Sequence, residues 1–480
     1  MEWEVVMGLE VHVELATKTK IFCSCTTEFG GAPNTHCCPV CTGMPGTLPV
    51  LNKKVLEYAV KAGLALNCEI TRYNKFDRKN YFYPDLPKAY QISQLYLPFA
   101  QNGHVDLVTR SGNQKTVRIH EIHMEEDAGK LVHSAFGEAT YPDYNRCGVP
   151  LIEIVSEPDF RSAEEVIAYL AKLKSTFEYL GISDCKMQEG SMRADVNLSV
   201  RPKGSEAFGT RTEMKNINSF KAIERAIAFE SARQIEAIEN GEKIIQETRR
   251  WDDNKGKTFA MRSKENAQDY RYFPEPDIPP ISISEETISS YIDAMPEFAE
   301  QKVARYESQF GISKADAEII AGSKYLARLF EDTVALCGDA KEVRYWIMSQ
   351  IMYVMNEKGV QPEDITLSAE KFAQFIGIVL ADRVNKQTGK TVFEAMFFAD
   401  DSFDLEKYIK DNNLEQVDDS EAIRKAVSEV FAANPSTVEQ YRAGQTKVVG
   451  FFVGQVMKAL KGKAKPDTVN KVVAEELAKL

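Results

Sequence analysis

The sequence predicts an α+β protein in which an antiparallel-sheet domain comes first and an all-α region follows. Fifteen of the nineteen prolines lie in residues 1–284, so the later residues are freer to form helices. In the first part, apolar and polar residues alternate at every second position, as in strands that pack on one face and meet water on the other. Parallel strands buried on both faces would be continuously apolar, so a Rossmann-like fold is disfavoured.

Two segments divide the chain, whose 480 residues correspond to roughly three domains. The proline-rich stretch 273–280 lacks the backbone donors of a helix or an interior strand. A second stretch, 411–420, is polar and turn-prone. We therefore expect a sheet domain over residues 1–292, a helical domain over 293–409 and a helical tail over 410–480.

The first predicted strand, residues 7–15, carries acidic groups and an imidazole on its polar face. Its apolar odd-numbered residues face the core, whereas Glu10, His12 and Glu14 point to the other side. Neighbours on that side are about 6.5–7 Å apart along the strand. These side chains are therefore close enough to act together.

A second predicted strand, residues 119–127, repeats the pattern and places Glu125 on its polar face, while further strand candidates add Glu153 and Glu213. Carboxylates gathered on one surface would repel each other unless cations lay among them. Oxygen ligands with one or two imidazoles suit Mg²⁺ or Mn²⁺ in a phosphoryl-transfer site. One such strand alone is better explained by a polar face in contact with water. Two such strands together make a metal site as good an explanation as two solvated faces.

Helices of period 3.6 separate these strands. Ser162 begins a capping box with Glu165, and the helix that follows is ended by Gly181. Another helix begins near Ser219 and ends before Gly241. These elements supply the apolar faces on which the sheet packs.

Two pairs of cysteines, separated by twelve residues, have the spacing of a structural tetrahedral zinc site. The expected ligands are Cys23, Cys25, Cys38 and Cys41. Cys37 and His36 adjoin the second pair and leave the ligand set ambiguous. A set of reduced thiols and a redox-active C-x-x-C are the alternatives.

Composition excludes several classes of protein. With 44% hydrophobic and 27% charged residues the chain is globular, and it has no apolar run of about 18 residues and no signal-peptide pattern at its start, so we expect a cytoplasmic protein without a membrane partner. The formal charge of −12 argues against coating nucleic acid by bulk charge. No Walker A loop and no amidase-like nucleophile is recognisable, so a P-loop NTPase and a hydrolase have little support.

The last forty residues reverse the charge, with eight basic residues against three acidic ones. This asymmetry indicates contact with phosphates, although a solvated, lysine-rich helix face explains it equally well. The candidate contacts are Lys447, Lys458, Lys461 and Lys463.

Several long motifs resemble one family over essentially the whole chain. They are residues 8–15, 79–88, 125–130, 150–158, 269–274 and 450–458. Together they are similar to the GatB/GatE family of subunits of tRNA-dependent amidotransferases. Long motifs in a fixed order are more specific than any of the short patterns above. The chain has no room for the extra inserted domain of GatE, so the GatB branch is the closer match.

The resemblance implies a cradle related to the glutamine synthetase fold, a helical domain and a YqeY-like, tRNA-binding tail. It also implies the reaction: ATP phosphorylates the side-chain carboxylate of Glu-tRNA(Gln) or Asp-tRNA(Asn), and ammonia from the glutaminase subunit GatA displaces phosphate within a heterotrimer that includes GatC. No DNA partner is implied.

The resemblance assigns roles to individual side chains. Glu10, His12 and Glu125 are expected to bind Mg²⁺ and to be catalytic, together with Lys79. Glu153, Glu213 and Lys88 are expected to contact ATP, and the zinc ion is expected to be structural. Two alternatives are a non-catalytic tRNA-binding scaffold and a stand-alone ligase of the glutamine synthetase type.

Overall fold

A computed structural model describes residues 2–134, 137, 139–263, 269–400, 402–416, 420–460 and 464–479. Its strands, in chain order, are β1 (Trp3–Glu14), β2 (Glu69–Ile70), β3 (Tyr73–Asn74), β4 (Asp77–Asn80), β5 (Tyr90–Ser93), β6 (Ala100–Val108), β7 (Gln114–Glu126), β8 (Lys130–His133), β9 (Thr140–Asp143), β10 (Pro150–Ser156), β11 (Met192–Pro202), β12 (Thr212–Lys215), β13 (Glu247–Asp252), β14 (Lys257–Ser263), β15 (Phe273–Pro274) and β16 (Ile281–Ser282).

Helices lie between these strands and make up the second part of the chain. They are α1 (Lys53–Ala65), α2 (Ala163–Leu180), α3 (Phe220–Glu239), α4 (Glu285–Asp293), α5 (Ala299–Phe310), α6 (Lys314–Ala321), α7 (Lys324–Cys337), α8 (Ala340–Trp346), α9 (Met352–Lys358), α10 (Ala369–Leu380), α11 (Lys386–Phe397), α12 (Leu405–Asp411), α13 (Ser420–Ala433), α14 (Pro435–Arg442), α15 (Val449–Ala459) and α16 (Pro466–Leu477). A π-helical turn spans Ile347–Ile351, and 3₁₀ turns span Pro362–Asp364 and Thr446–Val448. The predicted α+β class is confirmed.

Among the described residues, one sheet of nine strands holds the first part together, in the order β14-β13-β12-β11-β1-β10-β7-β6-β2. The pairs of β1 with β10 and β11, and of β7 with β6 and β10, are antiparallel as predicted. The pair β12–β13 is parallel, so the sheet is mixed and the expectation of a purely antiparallel sheet is wrong there. The reason is that α3 connects these strands and returns the chain to the same edge in the same direction.

One face of the sheet packs on helices as the alternation predicts. Leu9, Val11 and Val13 of β1 are at most 1% exposed, and α2 and α3 lie against β6 and β11. The predicted ends of α2 are confirmed: Ser162 Oγ accepts the Glu165 backbone N–H at 3.2 Å, and the glycine at its C-terminus has a φ of 68°. This buried face fixes which residues of each strand point the other way.

The other face is covered over part of its area. A small sheet of β15, β4 and β5 lies on this side, where β5 contacts β7. Ser93 of β5 donates its hydroxyl to Glu125 Oε2 at 3.2 Å, and Glu125 is only 3% exposed. The expectation of a solvated second face is therefore wrong at this place, and the acidic groups beneath the small sheet are buried.

The described chain forms two compact units, residues 1–298 and 299–480. Within the second unit, one apolar core joins α5 to α12, and a separate core joins α13, α15 and α16. The boundaries at 292 and 409, and the relation of the first domain to glutamine synthetase, remain predictions. No helix among the described residues has the length and apolar character needed to span a bilayer.

Glu331 of α7 ties α5 to the core of the second unit. Its Oε1 atom accepts from Lys302 Nζ at 2.6 Å and from the Tyr306 hydroxyl at 2.8 Å, and Arg305 forms an ion pair with it. Burial favours the neutral acid, but these three donors outweigh it and hold the pKa of Glu331 below its usual value. Ionised Glu331 therefore stabilises the fold.

We expect Glu331→Gln to lower the free energy of unfolding of α5 and α7 by about 1–2 kcal/mol at neutral pH, because charged hydrogen bonds are lost. A lowered pKa gives stability that is present above the unfolded value of 4.5 and is lost as the pH falls through the folded pKa, so the difference should vanish in acid. Hydrogen exchange of peptides from both helices measures it, with exposed Glu307→Gln as the control. Equal protection in the two variants at pH 7 would contradict the assignment.

Candidate active site and cysteine cluster

The polar face brings three predicted side chains together beneath the small sheet. His12 Nε2 lies 3.5 Å from Glu125 Oε1 and 3.8 Å from Glu153 Oε1. The pairing of β1 with β10, in which His12 stands opposite Glu153, produces this arrangement. One ligand atom from each of the three residues lies within 4.8 Å of the others, so one ion could bind all three.

The two carboxyl groups of this cluster differ in their electrostatics. Burial, with the neighbouring charge of Glu153, raises the pKa of Glu125. Burial acts on Glu153 too, but His12, His123 and Lys79 outweigh it and lower the pKa of Glu153. A divalent cation between the two carboxylates would offset their mutual repulsion, which contributes to the raised pKa of Glu125. An imidazole with two carboxylates is a donor set that fits Mg²⁺ or Mn²⁺.

A second acidic cluster lies beside the first on the same face. It consists of Glu10, Asp195 and Glu213, which again offer ligand atoms within 4.8 Å of one another. Lys215 forms ion pairs with both Asp195 and Glu213. Burial, with the charges of Glu153 and Glu213, raises the pKa of Glu10.

The structure thus groups the predicted ligands differently from the sequence. Glu153 joins His12 and Glu125, whereas Glu10 belongs with Glu213 in the second cluster. Asp195 is absent from the predicted ligands, although its place on the polar side of an alternating strand is a usable signal. The pairing of β1 with β11, which puts Glu10 opposite Asp195, could not be predicted from local sequence.

Lys79 supplies positive charge to the first cluster. It lies on β4, and its Nζ atom is 5.0 Å from the centre of the Tyr270 ring. Burial disfavours the ammonium form, but Glu125, Tyr272 and Glu153 outweigh it and raise the pKa of Lys79. Lys79 therefore keeps its positive charge next to the carboxylates of Glu125 and Glu153.

Lys88 has a different partner. Its ammonium group forms an ion pair with Glu126, whose Oε1 atom also accepts the Ile92 backbone N–H at 2.9 Å. Glu126 is the residue after Glu125, and its side chain is 4% exposed. Lys88 is thus held by Glu126, the residue next to Glu125, and not by a member of the first cluster.

The four predicted cysteines meet in one place. The Sγ atoms of Cys23, Cys25, Cys38 and Cys41 all lie within 4.8 Å of one another. A zinc ion with Zn–S bonds of about 2.3 Å needs sulfurs about 3.8 Å apart, and Cys38 and Cys41 are separated by 4.0 Å. The donor set and spacing therefore fit a tetrahedral zinc ion.

The two residues that made the ligand set ambiguous have other partners. Cys37 Sγ lies 3.2 Å from the Asn34 carbonyl oxygen, and His36 Nδ1 lies 3.2 Å from the carbonyl oxygen of Glu28. Neither belongs to the cluster of four.

Comparison with known proteins shows the family of the chain. Residues 5–289 match the family model described as the GatB/GatE catalytic domain, and residues 328–477 match the one described as the GatB domain. The chain belongs to the GatB/GatE family. The resemblance seen in the motifs is thereby confirmed.

Full-length relatives in this family are similar from end to end. The B subunit of the aspartyl/glutamyl-tRNA(Asn/Gln) amidotransferase of Lachnospira eligens is 58% identical over 99% of both chains. The proteins of the same name from Lachnoclostridium phytofermentans and Carboxydothermus hydrogenoformans are 58% identical over 99% and 49% identical over 100% of both chains.

In this GatB-family chain the cysteine cluster has a buried lysine beside it. Lys20 is 0% exposed, and its Nζ atom lies 3.6 Å from Cys41 Sγ. The Cys23 thiol and the Cys38 backbone N–H donate to Cys41, and together with the charge of Lys20 they outweigh burial and lower the pKa of Cys41 to about 4. Four thiolates around a Zn²⁺ ion would carry a net negative charge, which the Lys20 ammonium would offset.

Two of the four predicted tRNA contacts lie near the end of the second unit. Lys447 is in the 3₁₀ turn before α15 and Lys458 is in its last turn, and both are exposed. Lys461 and Lys463 lie outside the described residues.

We expect the purified chain to hold one zinc ion, and Lys20→Met to lower its zinc affinity by about 10- to 100-fold, as the loss of a partner of a metal ligand does. Competition with a chromophoric chelator measures the affinity, with exposed Lys18→Met as the matched control. Less than about half an equivalent of zinc, in protein prepared without chelators, would favour reduced thiols. Equal affinities of the two variants would exclude a role for Lys20.

Proposed function

We propose that this chain is the B subunit of an aspartyl/glutamyl-tRNA(Asn/Gln) amidotransferase, a ligase with glutamine as amido donor, and that it carries the ATP-dependent step. The observation that supports this most directly is the pair of acidic clusters on one sheet face, with Lys79 beside the first. A scaffold that only bound tRNA would have no need for buried carboxylates, which are costly unless cations accompany them.

Two groups of ligands are proposed for divalent ions. His12, Glu125 and Glu153 would hold Mg²⁺, which would offset negative charge on phosphate oxygens. Glu10, Asp195 and Glu213 form the second candidate group. Two such groups side by side suit a triphosphate, whose charge is spread over several oxygens.

The proposed reaction does not require the protein itself to form a covalent bond with the substrate. The γ-phosphoryl group of ATP passes to the side-chain carboxylate of the aminoacyl-tRNA, and ammonia then adds to the activated carbonyl carbon. The bond from carbon to the phosphate oxygen breaks, phosphate leaves and the nitrogen loses a proton, giving the amide. Both steps are governed by positioning and by stabilisation of negative charge.

Side chains around the first cluster fit these needs. Lys79 keeps its positive charge in a buried place, where a cation acts more strongly on phosphate oxygens than in water. Ser93 holds Glu125 by a hydrogen bond, and the small sheet limits access of water to the face. Exclusion of water protects an acyl phosphate from hydrolysis.

We further propose that the chain acts within a cytoplasmic heterotrimer with the glutaminase subunit GatA and with GatC. The sequence contains no recognisable nucleophile for releasing ammonia from glutamine, so a partner must supply it. The C-terminal helices would bind the body of tRNA(Gln) or tRNA(Asn) through phosphates and shape, as proteins recognise folded RNA. Neither DNA nor a membrane is proposed as a partner.

We expect His12→Ala, Glu125→Gln and Glu153→Gln each to lower amide formation by about 100-fold or more, because each removes a group from the charge-stabilising centre. Binding of tRNA should be nearly unchanged. The assay uses the assembled enzyme with misacylated tRNA, ATP and ammonia, with exposed Glu69→Gln as the control. Full activity of any of the three variants at limiting Mg²⁺ would contradict the assignment of that residue.

We expect removal of residues 410–480 to raise the Michaelis constant for aminoacyl-tRNA more than it lowers the rate at saturation. A finer test replaces Lys447 and Lys458 by Gln, which should reduce the salt dependence of tRNA binding by about one unit per lysine. Exposed Lys341 and Lys407, changed to Gln, are the control pair. An unchanged affinity and salt slope would mean that the lysines only form a solvated helix face.

A further inference from the structure

The second acidic cluster is in contact with a cation that belongs to the chain itself. The Lys215 ammonium group forms an ion pair with Asp195, and its Nζ atom lies 3.0 Å from Glu213 Oε1. Strands β11 and β12 pair with Asn197 opposite Glu213. Two residues further along each strand, the same antiparallel register sets Lys215 beside Asp195. The ammonium group therefore binds two of the three carboxylates of this cluster.

The first cluster has a different environment. In the described part of the chain, neither Glu125 nor Glu153 forms an ion pair with a lysine or an arginine, and the nearest basic group is the imidazole of His12. Lys79 acts on both carboxylates by its charge, without an ion pair. A metal ion can therefore bind in the first cluster without displacing an ammonium group.

Both carboxylate oxygens of Glu213 already accept from side chains. Lys215 binds Oε1, and the Thr248 hydroxyl donates to Oε2 at 2.8 Å. Thr248 is 5% exposed and lies on β13, the strand next to Glu213, so its short side chain is fixed. The Lys215 side chain is 37% exposed and has a flexible four-carbon stem. A metal ion that binds Glu213 would therefore displace the lysine rather than the threonine.

A divalent ion and the ammonium group compete for the same oxygens. Mg²⁺ binds carboxylate oxygens at about 2.0–2.1 Å. An ion on Glu213 Oε1 would then lie no more than about 5 Å from Lys215 Nζ, which is 3.0 Å from that oxygen. Two positive charges so close together repel each other strongly in a partly buried place.

We propose that Lys215 is an internal counter-ion that closes the second cluster to divalent ions, so that the first ion binds in the first cluster and a second ion enters only by displacing the ammonium group. This inference rests on the proposed function, which supplies the two ligand sets. Lys215 thereby compensates neighbouring carboxylates for as long as no second ion is present, and the two clusters are loaded in a fixed order.

The alternative is that Lys215 stays in place beside a bound ion. The three carboxylates of the cluster would match the three positive charges of a divalent ion and an ammonium group. The occupation of both Glu213 oxygens argues against this arrangement. The two cases predict opposite effects of removing the ammonium group: the second ion binds more tightly if Lys215 is displaced, and more weakly if it stays.

The first test counts the Mn²⁺ ions bound to the assembled enzyme from the EPR signal of the free ion. Lys215→Met keeps most of the length of the side chain and removes its charge, so it should tighten binding of the second ion by about tenfold or more. Lys215→Arg keeps the charge and should leave the second ion as weakly bound as in the wild type. Adding Asp195→Asn to Lys215→Met should weaken the second ion again, whereas His12→Ala should remove only the first.

Lys115→Met is the matched control. Lys115 of β7 forms an ion pair of 2.9 Å with Glu165 of α2, on the side of the sheet that packs on helices. Its loss should change the binding of neither ion. Binding of the second ion in Lys215→Met that equals that of the wild type, or is weaker, would overturn the proposal.

The second test uses the wild-type enzyme, so a folding defect cannot obscure it. An ammonium group held between two carboxylates is shielded from amine-acetylating reagents, and displacement by Mg²⁺ should expose it. Acetylation of Lys215, measured by mass spectrometry of the tryptic peptide 212–221, should be severalfold faster at saturating Mg²⁺ than in NaCl of equal ionic strength. Lys115 should react equally in both solutions. If Mg²⁺ leaves the rate at Lys215 unchanged or lowers it, Lys215 is not displaced and the proposal is wrong.

Failure of the proposed function would look different. An assembled wild-type enzyme that forms no ATP-dependent amide would contradict that function, and Mn²⁺ binding that His12→Ala leaves unchanged would contradict its first ligand set. Neither result alters the comparison of Lys215→Met with the wild type, which reports on the second cluster alone.

Discussion

The crowding of carboxylates on one sheet face is the constraint on which the rest of the site depends. Buried Glu125 lies beside the partly exposed Glu153, and their pKa values are displaced in opposite directions. Burial and the charge of Glu153 raise the pKa of Glu125, whereas His12, His123 and Lys79 outweigh burial and lower the pKa of Glu153. Buried like charges persist only where positive charge accompanies them. Lys79 supplies part of it, and a divalent ion would supply the remainder. The face is therefore suited to phosphoryl transfer and poorly suited to a purely structural role.

The same face depends on the core beneath it. The register of β1 is fixed by Leu9, Val11 and Val13, which pack on the helices, and a shift by one residue would exchange the two faces. Its neighbours β10 and β11 then place Glu153 opposite His12 and Asp195 opposite Glu10. Core packing and site geometry are thus one property of the central strand, so a core substitution in β1 would disturb both.

Local features could be predicted from the sequence, whereas groupings across the sheet could not. The polar face of β1, the capped ends of α2 and the four cysteines follow from periodicity and spacing within a few residues. The small covering sheet does not: β4 has four residues, and its partner Phe273 follows it by almost 200 positions. The membership of Asp195 in the second cluster likewise requires the strand order. For this reason individual members of the two clusters are easier to predict than the sets they form.

The cysteine cluster is linked to the site rather than standing apart from it. Cys23 and Cys41 line the same cavity as Lys88 and Glu126. Gly43, two residues after the last cysteine of the cluster, lies so close to Lys88 that a Cβ atom there would collide with the lysine side chain, and its φ of 70° suits glycine. The loop that the cysteines fix is therefore part of the wall that holds Lys88 against Glu126. A metal ion that organised this loop would therefore also help to hold Lys88 against Glu126, which adjoins Glu125 on β7.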